Sequence, residues 1–371
     1  MQVNHRLRFR GFALSSMLLF AAATVRSARA DESSIANLNT ITTVSTTVPA
    51  NGDVNPYGVA RVPRSKGDLV EGRFLISNFN NGANLQGTGT TIVQIAPNGK
   101  FSLFAQIDAS KVQCPGGIGL TTALVALRSG LVIVGSLPTT DGTAATARAG
   151  CLIVLDSWGH VVKTFSGNGI NGPWDMTAVD GGRLAALFVT NVLDGTVAAN
   201  GTVVKRGTVL RLLLAIPENG PPQLIDCTVI AAGFPQRTDP AALVIGPTGV
   251  GFDDKTGVLY VADSLNNRIA AIPGALFRMT SAGTGETLFQ GGALNDPLGL
   301  TLTRDRNVIA ANGDDGNLVE ISTVSGKQVG VKLVDNTGGP PPGAGALFGL
   351  IATHEGVYFV DDASNTFNLL H

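Results

Sequence analysis

The chain reads as short apolar runs punctuated by Gly, Asn and Pro. FLISN (74–78), VIVGS (132–136), LFVTN (187–191), LYVAD (259–263) and VIAAN (308–312) are rich in Val, Ile and Leu and stop at a small polar residue. Runs of this length bounded by turn residues read as β-strands. TTIVQIAPNGKFSLFAQI (90–107), CLIVLDSWGHVVKTF (151–165) and NLVEISTVSGKQVGVKLV (317–334) each read as two strands and a hairpin, with Gly supplying positive φ in the turns. No stretch sustains a 3.6-residue apolar period with caps, so the fold class is all-β.

The runs repeat. A Pro- or Gly-bearing turn, then a small or polar residue opening an apolar strand, recurs as NPYGVARV, GIGLTTAL, GPWDMTAV, GPTGVGFD, DPLGLTLT and LFGLIAT. Its key positions are Gly58, Gly119, Asp175, Gly249, Gly299 and Gly349, spaced 50 to 74 residues apart. A second marker follows each first one by 13 to 20 residues, the length of two strands and a hairpin, and ends at Asn78, Ser136, Asn191, Asp263, Asn312 and Asp362. Two markers in phase six times predict six four-stranded units. The sixth unit stops at TFNLLH after three strands, while NTITTVSTTV (39–48) stands ahead of the first unit without one of its own. If that segment supplies the missing strand, the ring closes and leaves only short, protected edges. The expectation is a six-bladed β-propeller of four-stranded antiparallel blades, the last closed by an N-terminal strand. Residues 192–208 read as an extended hairpin in the third unit, and the Pro/Gly run 338–345 as a stiffened connection into the sixth.

The first thirty residues change the address. Arg6, Arg8 and Arg10 precede an apolar run at 11–25, and Ala28-Arg29-Ala30 fits a small-x-small cleavage site. The run is shorter than the roughly 20 residues needed to span a bilayer. Residues 1–30 are therefore expected to be a secretory signal, and 31–371 one propeller domain in the periplasm or outside the cell. Removing the signal takes five arginines and no acid, leaving 21 basic and 27 acidic residues, a formal charge of about −6. No Lys/Arg cluster lies beyond the first ten residues, which excludes nucleic acid as a partner. No later segment approaches a spanning length, and a soluble monomer is expected. Cys114, Cys151 and Cys227 remain, an odd number in an oxidising compartment. The strand reading places Cys114 and Cys151 near one rim of the same blade, where a disulfide can form, against three buried thiols as the other reading.

The segment GPTGVGFDDKTGVLYVADSLNNRI, ending at Ile269, resembles the repeat signature of NHL-repeat β-propellers, a family that includes exported bacterial proteins. Blade four matches that signature nearly residue for residue. Blade six keeps its Asp and one Asn but has Thr366 and Phe367 where the family has Arg and Ile, and the other blades match only in apolar spacing. The resemblance covers 55–371 and implies the fold; function does not follow, because propellers host binders, lactonases, lyases and scaffolds. Beside the resemblance, Asp263 is read as holding the following turn through backbone N–H groups, and Arg268 as pairing with an acid of the next blade.

In a propeller the inner strands start on one face, and the loops after the second strands open there too, so both marker sets should ring one mouth of the channel. Five inner-strand positions are Gly and one is Asp175, preceded by Trp174. Trp174, Asp175, Asn78, Asn191, Asp263, Asn312 and Asp362 are the candidate ligand-binding residues, with capping of their own turns as the competing role. The same oxygens could converge on calcium, with Asp175 the best metal candidate, and this set is similar to that of the gluconolactonase-type propeller lactonases. Those enzymes place a Glu on an inner strand, and none stands at these positions here. His160 and His354 fall in hairpins on the face opposite the mouth and His371 at the terminus, which argues against a Ser-His-Asp triad, His-ligated zinc or copper, and the propeller lyases that use His. The expected function is a binding or interaction module for a small polar ligand or a protein partner. The alternative is a cation-dependent hydrolase or lactonase in the same mouth.

Overall fold

The computed structural model describes residues 31–371 apart from residue 219. The signal reading, at 1–30, lies outside the described residues. Six antiparallel sheets form the ring. Blade one is Val54–Arg61, Phe74–Asn80, Thr91–Ile95 and Phe101–Gln106, and blade two Leu120–Ala126, Val132–Ser136, Cys151–Leu155 and Val161–Phe165. Blade three is Pro173–Asp180, Leu184–Asn191, Val204–Ala215 and Gln223–Asp239, extended by Leu243–Ile245. Blade four is Pro247–Asp253, Val258–Asp263, Arg268–Ile272 and Glu286–Gln290, and blade five Pro297–Leu302, Val308–Asn312, Asn317–Ile321 and Gln328–Leu333. Blade six joins Leu347–Ala352, Val357–Asp361 and Thr366–Leu370 to the N-terminal strand Ile41–Thr46, which pairs antiparallel with the last. The six-bladed fold and its N-terminal closure are as the repeat predicts.

Upstream of the closing strand, residues 31–35 clasp blade five, which the sequence reading did not foresee. Ser33 Oγ and Ile35 N donate to Glu320 Oε2 at 2.7 and 3.1 Å, and Asn307 Nδ2 reaches Glu320 Oε1 at 2.9 Å. Glu320 is fully buried, so these donors satisfy a carboxylate that would otherwise be costly to bury. Ile35 is fully buried against the interface of blades five and six.

Register explains what the repeat markers do. Pro56, Leu120, Pro173, Pro247, Pro297 and Leu347 pair with Asn78, Ser136, Asn191, Asp263, Asn312 and Asp361, and each inner strand bulges just after that pair. Two marker assignments are corrected by this register. Asp361, not Asp362, is the blade-six counterpart, because it faces Leu347. In blade two the bulge runs from Leu120 to Leu124, so Thr122, not Gly119, lines the narrow part of the channel. There neighbouring inner strands come so close that a Cβ on Gly299 would meet Phe348 O, and one on Gly349 would meet Tyr57 O. Hydroxyls beside the second-strand markers stitch blade to blade: Ser77 Oγ donates to Thr121 O at 2.7 Å and Thr190 Oγ1 to Thr248 O at 2.8 Å. Glycine here is the residue that lets the ring close at its waist.

Cys114 and Cys151 are joined, with Cα atoms 5.4 Å apart, and Cys227 is free. Among the described residues no helix is long and apolar enough to cross a membrane.

Candidate functional site

The mouth ringed by the markers is closed. Tyr57, Trp174, Leu298 and Phe348, each one residue before the waist, turn into the channel and form one apolar cluster with Ala242, Leu243, Val244 and Ile245. Tyr57 stacks on Phe348 with ring centroids 3.9 Å apart and on Phe79 at 4.4 Å. The strand Gln223–Asp239 runs past the blade and folds back through Leu243–Ile245 across the opening. Trp174 Nε1 donates to Val244 O at 3.1 Å, and Gln86 Nε2 of blade one to Pro240 O at 2.9 Å, fixing the segment at both ends. Leu243 holds φ +64°, an unfavourable backbone for a branched residue, kept by its burial in the plug. Residues 192–208, read from the sequence as an extended hairpin, contain a helical turn at Thr196–Ala199 beside the mouth. The longest interval of the repeat, from Asp175 to Gly249, carried the signal for an extra segment without showing where it would lie.

The candidate residues are thereby divided. Trp174 is core, its indole N–H spent on the plug. Asn191 Oδ1 accepts from Asn171 N at 3.0 Å and Asn312 Oδ1 from Asn295 N at 3.1 Å, each bracing the turn that leads into its own inner strand. Asn78 Nδ2 donates to Thr47 O and Thr91 Oγ1. Asp263 accepts from Asn266 Nδ2 at 2.9 Å and from Arg268 Nε and Nη2 at 2.9 and 2.8 Å. This corrects two expectations: side chains rather than backbone N–H groups bond the carboxylate, all of them at Oδ2, and Arg268 pairs within its own blade because it faces Asp263 directly across the ladder.

Asp362 stands half-buried at the rim, where burial and adjacent Asp361 push its carboxyl up to about 7. Asp296 is also raised to about 7, by burial and then by Asp314 and Asp239. Arg237, 3.3 Å from Asp239, is the cation among them. Yet among the described residues no three His, Cys, Asp or Glu side chains are gathered closely enough to hold a metal ion. Asn191, Asn312 and Asp263 spend side-chain groups on turns and pairs within their own blades.

Beyond the waist the channel is open. A cavity of about 420 Å³ runs from Asp175 and Thr122 toward the hairpins that join first and second strands, with Arg61 and Asp180 near its outer end. Asp175, 9% exposed, lies at its inner end. Asp175 Oδ1 accepts from Met176 N at 2.8 Å, and Oδ2 reaches across to Val250 N of blade four at 3.0 Å. Burial raises its carboxyl to about 7 despite those two N–H groups, because no cation stands beside it. Thr122, only 4% exposed, lines the same cavity with a hydroxyl that has no partner. Blades two and three therefore set two polar side chains at the inner end of a cavity to which blades five and six bring Gly299 and Gly349, and blades one and four Val59 and Val250. Sequence reasoning found Asp175 as the odd residue of its repeat, but missed Thr122 because the longer bulge shifts blade two out of phase. None of His160, His354 and His371 lines this cavity.

Comparison with solved structures finds the same architecture over nearly the whole of both chains. A gluconolactonase from Xanthomonas campestris is 12% identical, over 89% of this chain and 88% of that one, with a TM-score of 0.51. A protein assigned as a glucose dehydrogenase-type oxidoreductase from Thermus thermophilus is 13% identical, over 90% and 99%, at 0.54. The PQQ-bound form of an aldose sugar dehydrogenase from Streptomyces coelicolor is 15% identical, over 89% and 98%, at 0.51. Such identities carry the fold and not the chemistry. No protein-family model matches the chain, and no curated protein matches it in sequence.

Proposed function

We propose that this protein is an exported, NHL-like propeller that binds a small, uncharged polyhydroxylated ligand in the open half of its channel, between Thr122 and Asp175. The observation that carries this reading is the partnerless Thr122 hydroxyl beside a carboxyl that titrates near neutrality, both at the inner end of an open cavity. A buried polar group without a partner costs about 1–3 kcal/mol, and a ligand that supplies the partner recovers it. Near pH 7 Asp175 is present in both protonation states, so it can donate or accept toward a hydroxyl while its oxygens keep their backbone bonds. The cavity falls in the range of roughly 300–1,000 Å³ typical of small-molecule sites. The sugar-related names of the structural neighbours agree with such a ligand. Export to an oxidising compartment is supported by the Cys114–Cys151 bond, and the NHL kinship by the YVADSLNNRI motif.

A cation-dependent lactonase draws less support. Both Asp175 oxygens are already held by main-chain N–H groups, and among the described residues Asp175 belongs to no cluster of three His, Cys, Asp or Glu side chains. The test is thermal unfolding of the mature protein at pH 6 against a panel of monosaccharides, polyols and aldonolactones. A saturable upward shift is expected. It should be lost in Thr122→Val, a near-isosteric change that removes a partnerless hydroxyl and leaves the unliganded protein at least as stable. Equal shifts in wild type and Thr122→Val, or no shift with any compound, would contradict the reading.

A further inference from the structure

A second cavity, independent of the channel, lies between blades three and four on the outer side of the ring. Strand alternation creates it. On Val204–Ala215, Leu210, Leu212 and Leu214 face blade two, which turns Arg211 and Leu213 toward blade four. The loop following Arg268–Ile272 then passes over them. The resulting groove of about 410 Å³ is walled almost wholly by apolar groups. Phe277 and Met279 on the loop are 82% and 72% exposed, and Leu184 and Ile225 on the opposite wall 58% and 57%. Single exposed apolar residues are ordinary, but four large ones around one groove mark a binding surface.

Arg211 gives the groove its chemistry. Its side chain is only 3% exposed. A guanidinium has five N–H donors. Nη1 donates to Leu276 O and Arg278 O at 2.8 and 2.9 Å, and Nη2 to Asp226 Oδ2 and Thr228 Oγ1 at 3.1 and 3.0 Å. Four donors are spent. The fifth, Nε–H, is buried without a partner in a side chain that lines the groove. Arg278, on the loop itself, turns its guanidinium to the carbonyl of Pro273. Asp226 already pairs with Arg211 through Nη2, so what the groove leaves unfilled is the buried Nε–H donor, which an acceptor on a ligand would fill.

We propose that this groove binds a medium-chain carboxylic acid, its alkyl chain along Leu184, Leu213, Ile225, Phe277 and Met279 and its carboxylate accepting from Arg211 Nε. The apolar wall provides affinity, and the buried donor selects the head group.

The experiment is isothermal titration of the mature protein with decanoate, decanol and decyltrimethylammonium. Decanoate should bind at one site per chain, about tenfold or more tighter than the ammonium amphiphile, since a charge-assisted hydrogen bond is gained with one and not the other. Phe277→Asp, a change at a mostly exposed side chain that leaves folding intact, should weaken decanoate about tenfold while thermal unfolding stays unchanged. Equal binding of the three amphiphiles, no saturable binding, or an unaltered Phe277→Asp would overturn the proposal. So would a concentration-dependent dimer that buries Phe277 and binds no decanoate, which would assign the groove to a second copy of the chain.

Discussion

Asp175 holds its negative charge at a cost. Burial lifts its carboxyl from the ordinary 3.8 to about 7, and the N–H groups of Met176 and Val250 offset only part of that. A carboxyl raised on folding contributes stability that is fully present below about pH 4 and is lost as the pH climbs through about 7. The full span corresponds to about 4 kcal/mol as an upper figure. Asp296 and Asp362, also raised to about 7, act in the same direction. Asp175→Asn keeps one acceptor and turns an amide donor toward the second N–H, so the variant should be less stable than wild type near pH 5, by about 1–3 kcal/mol. The gap should narrow or reverse by pH 8, where wild type bears the buried charge. Denaturant unfolding of both proteins from pH 5 to 8 checks this, and parallel curves would refute it. Asp175 was legible in the sequence because it broke a row of glycines. Thr122 was not, because its visibility depends on a bulge whose length no composition reveals.

At the scale of the strands, blade phase was readable from apolar runs and turn residues, and the register bore it out to within one residue except in blade two. What the pattern could not tell was the reason for the glycines. They read as the rim of a ligand mouth, and they are contact points between neighbouring inner strands. Blade four separates the two roles. A Cβ on Gly249 would stand 2.5 Å from Leu298 O and 2.6 Å from Leu300 N, both main-chain atoms of the next blade. A Cβ on Gly251, two residues along the same strand, would meet first the Leu300 Cδ2 at 2.7 Å, the end of a side chain that can turn. Gly249→Ala should therefore cost at least the roughly 1–3 kcal/mol of an overpacked core, and Gly251→Ala clearly less. Equal losses in thermal unfolding would show that the waist is not held by main-chain contact. The plug escaped the sequence for a related reason: Ala242 to Ile245 read as one more apolar run, and only the tertiary fold-back decides that it crosses the mouth instead of extending a blade.

At the scale of the whole molecule, the ring is fastened by its first described residues. The strand Ile41–Thr46 completes blade six, and residues 31–35 lock onto Glu320 and Asn307 of blade five. The closing strand was legible from a strand count that came out one short. The clasp was not, because it depends on a buried acid at a distance of some 285 residues in sequence. Removing residues 31–37 while keeping the closing strand leaves Glu320 buried without its Ser33 and Ile35 donors. This should destabilise the protein by about 3–5 kcal/mol, as for other uncompensated buried charges, and Glu320→Gln should restore part of the loss. An unchanged melting temperature on truncation would mean the clasp is dispensable. The ring as a whole presents one face sealed by aromatic side chains and a folded-back strand, and one face open to a polar waist. The proposed ligand would sit on the open side, and the most direct measurement is a crystal structure of residues 31–371 at pH 6 soaked with the tightest binder from the sugar and polyol panel. The account predicts ligand density within hydrogen-bonding distance of the Thr122 hydroxyl and the Asp175 carboxyl, beneath an unmoved plug. Density above residues 239–245, or a ligand that displaces them to reach Trp174, would contradict it.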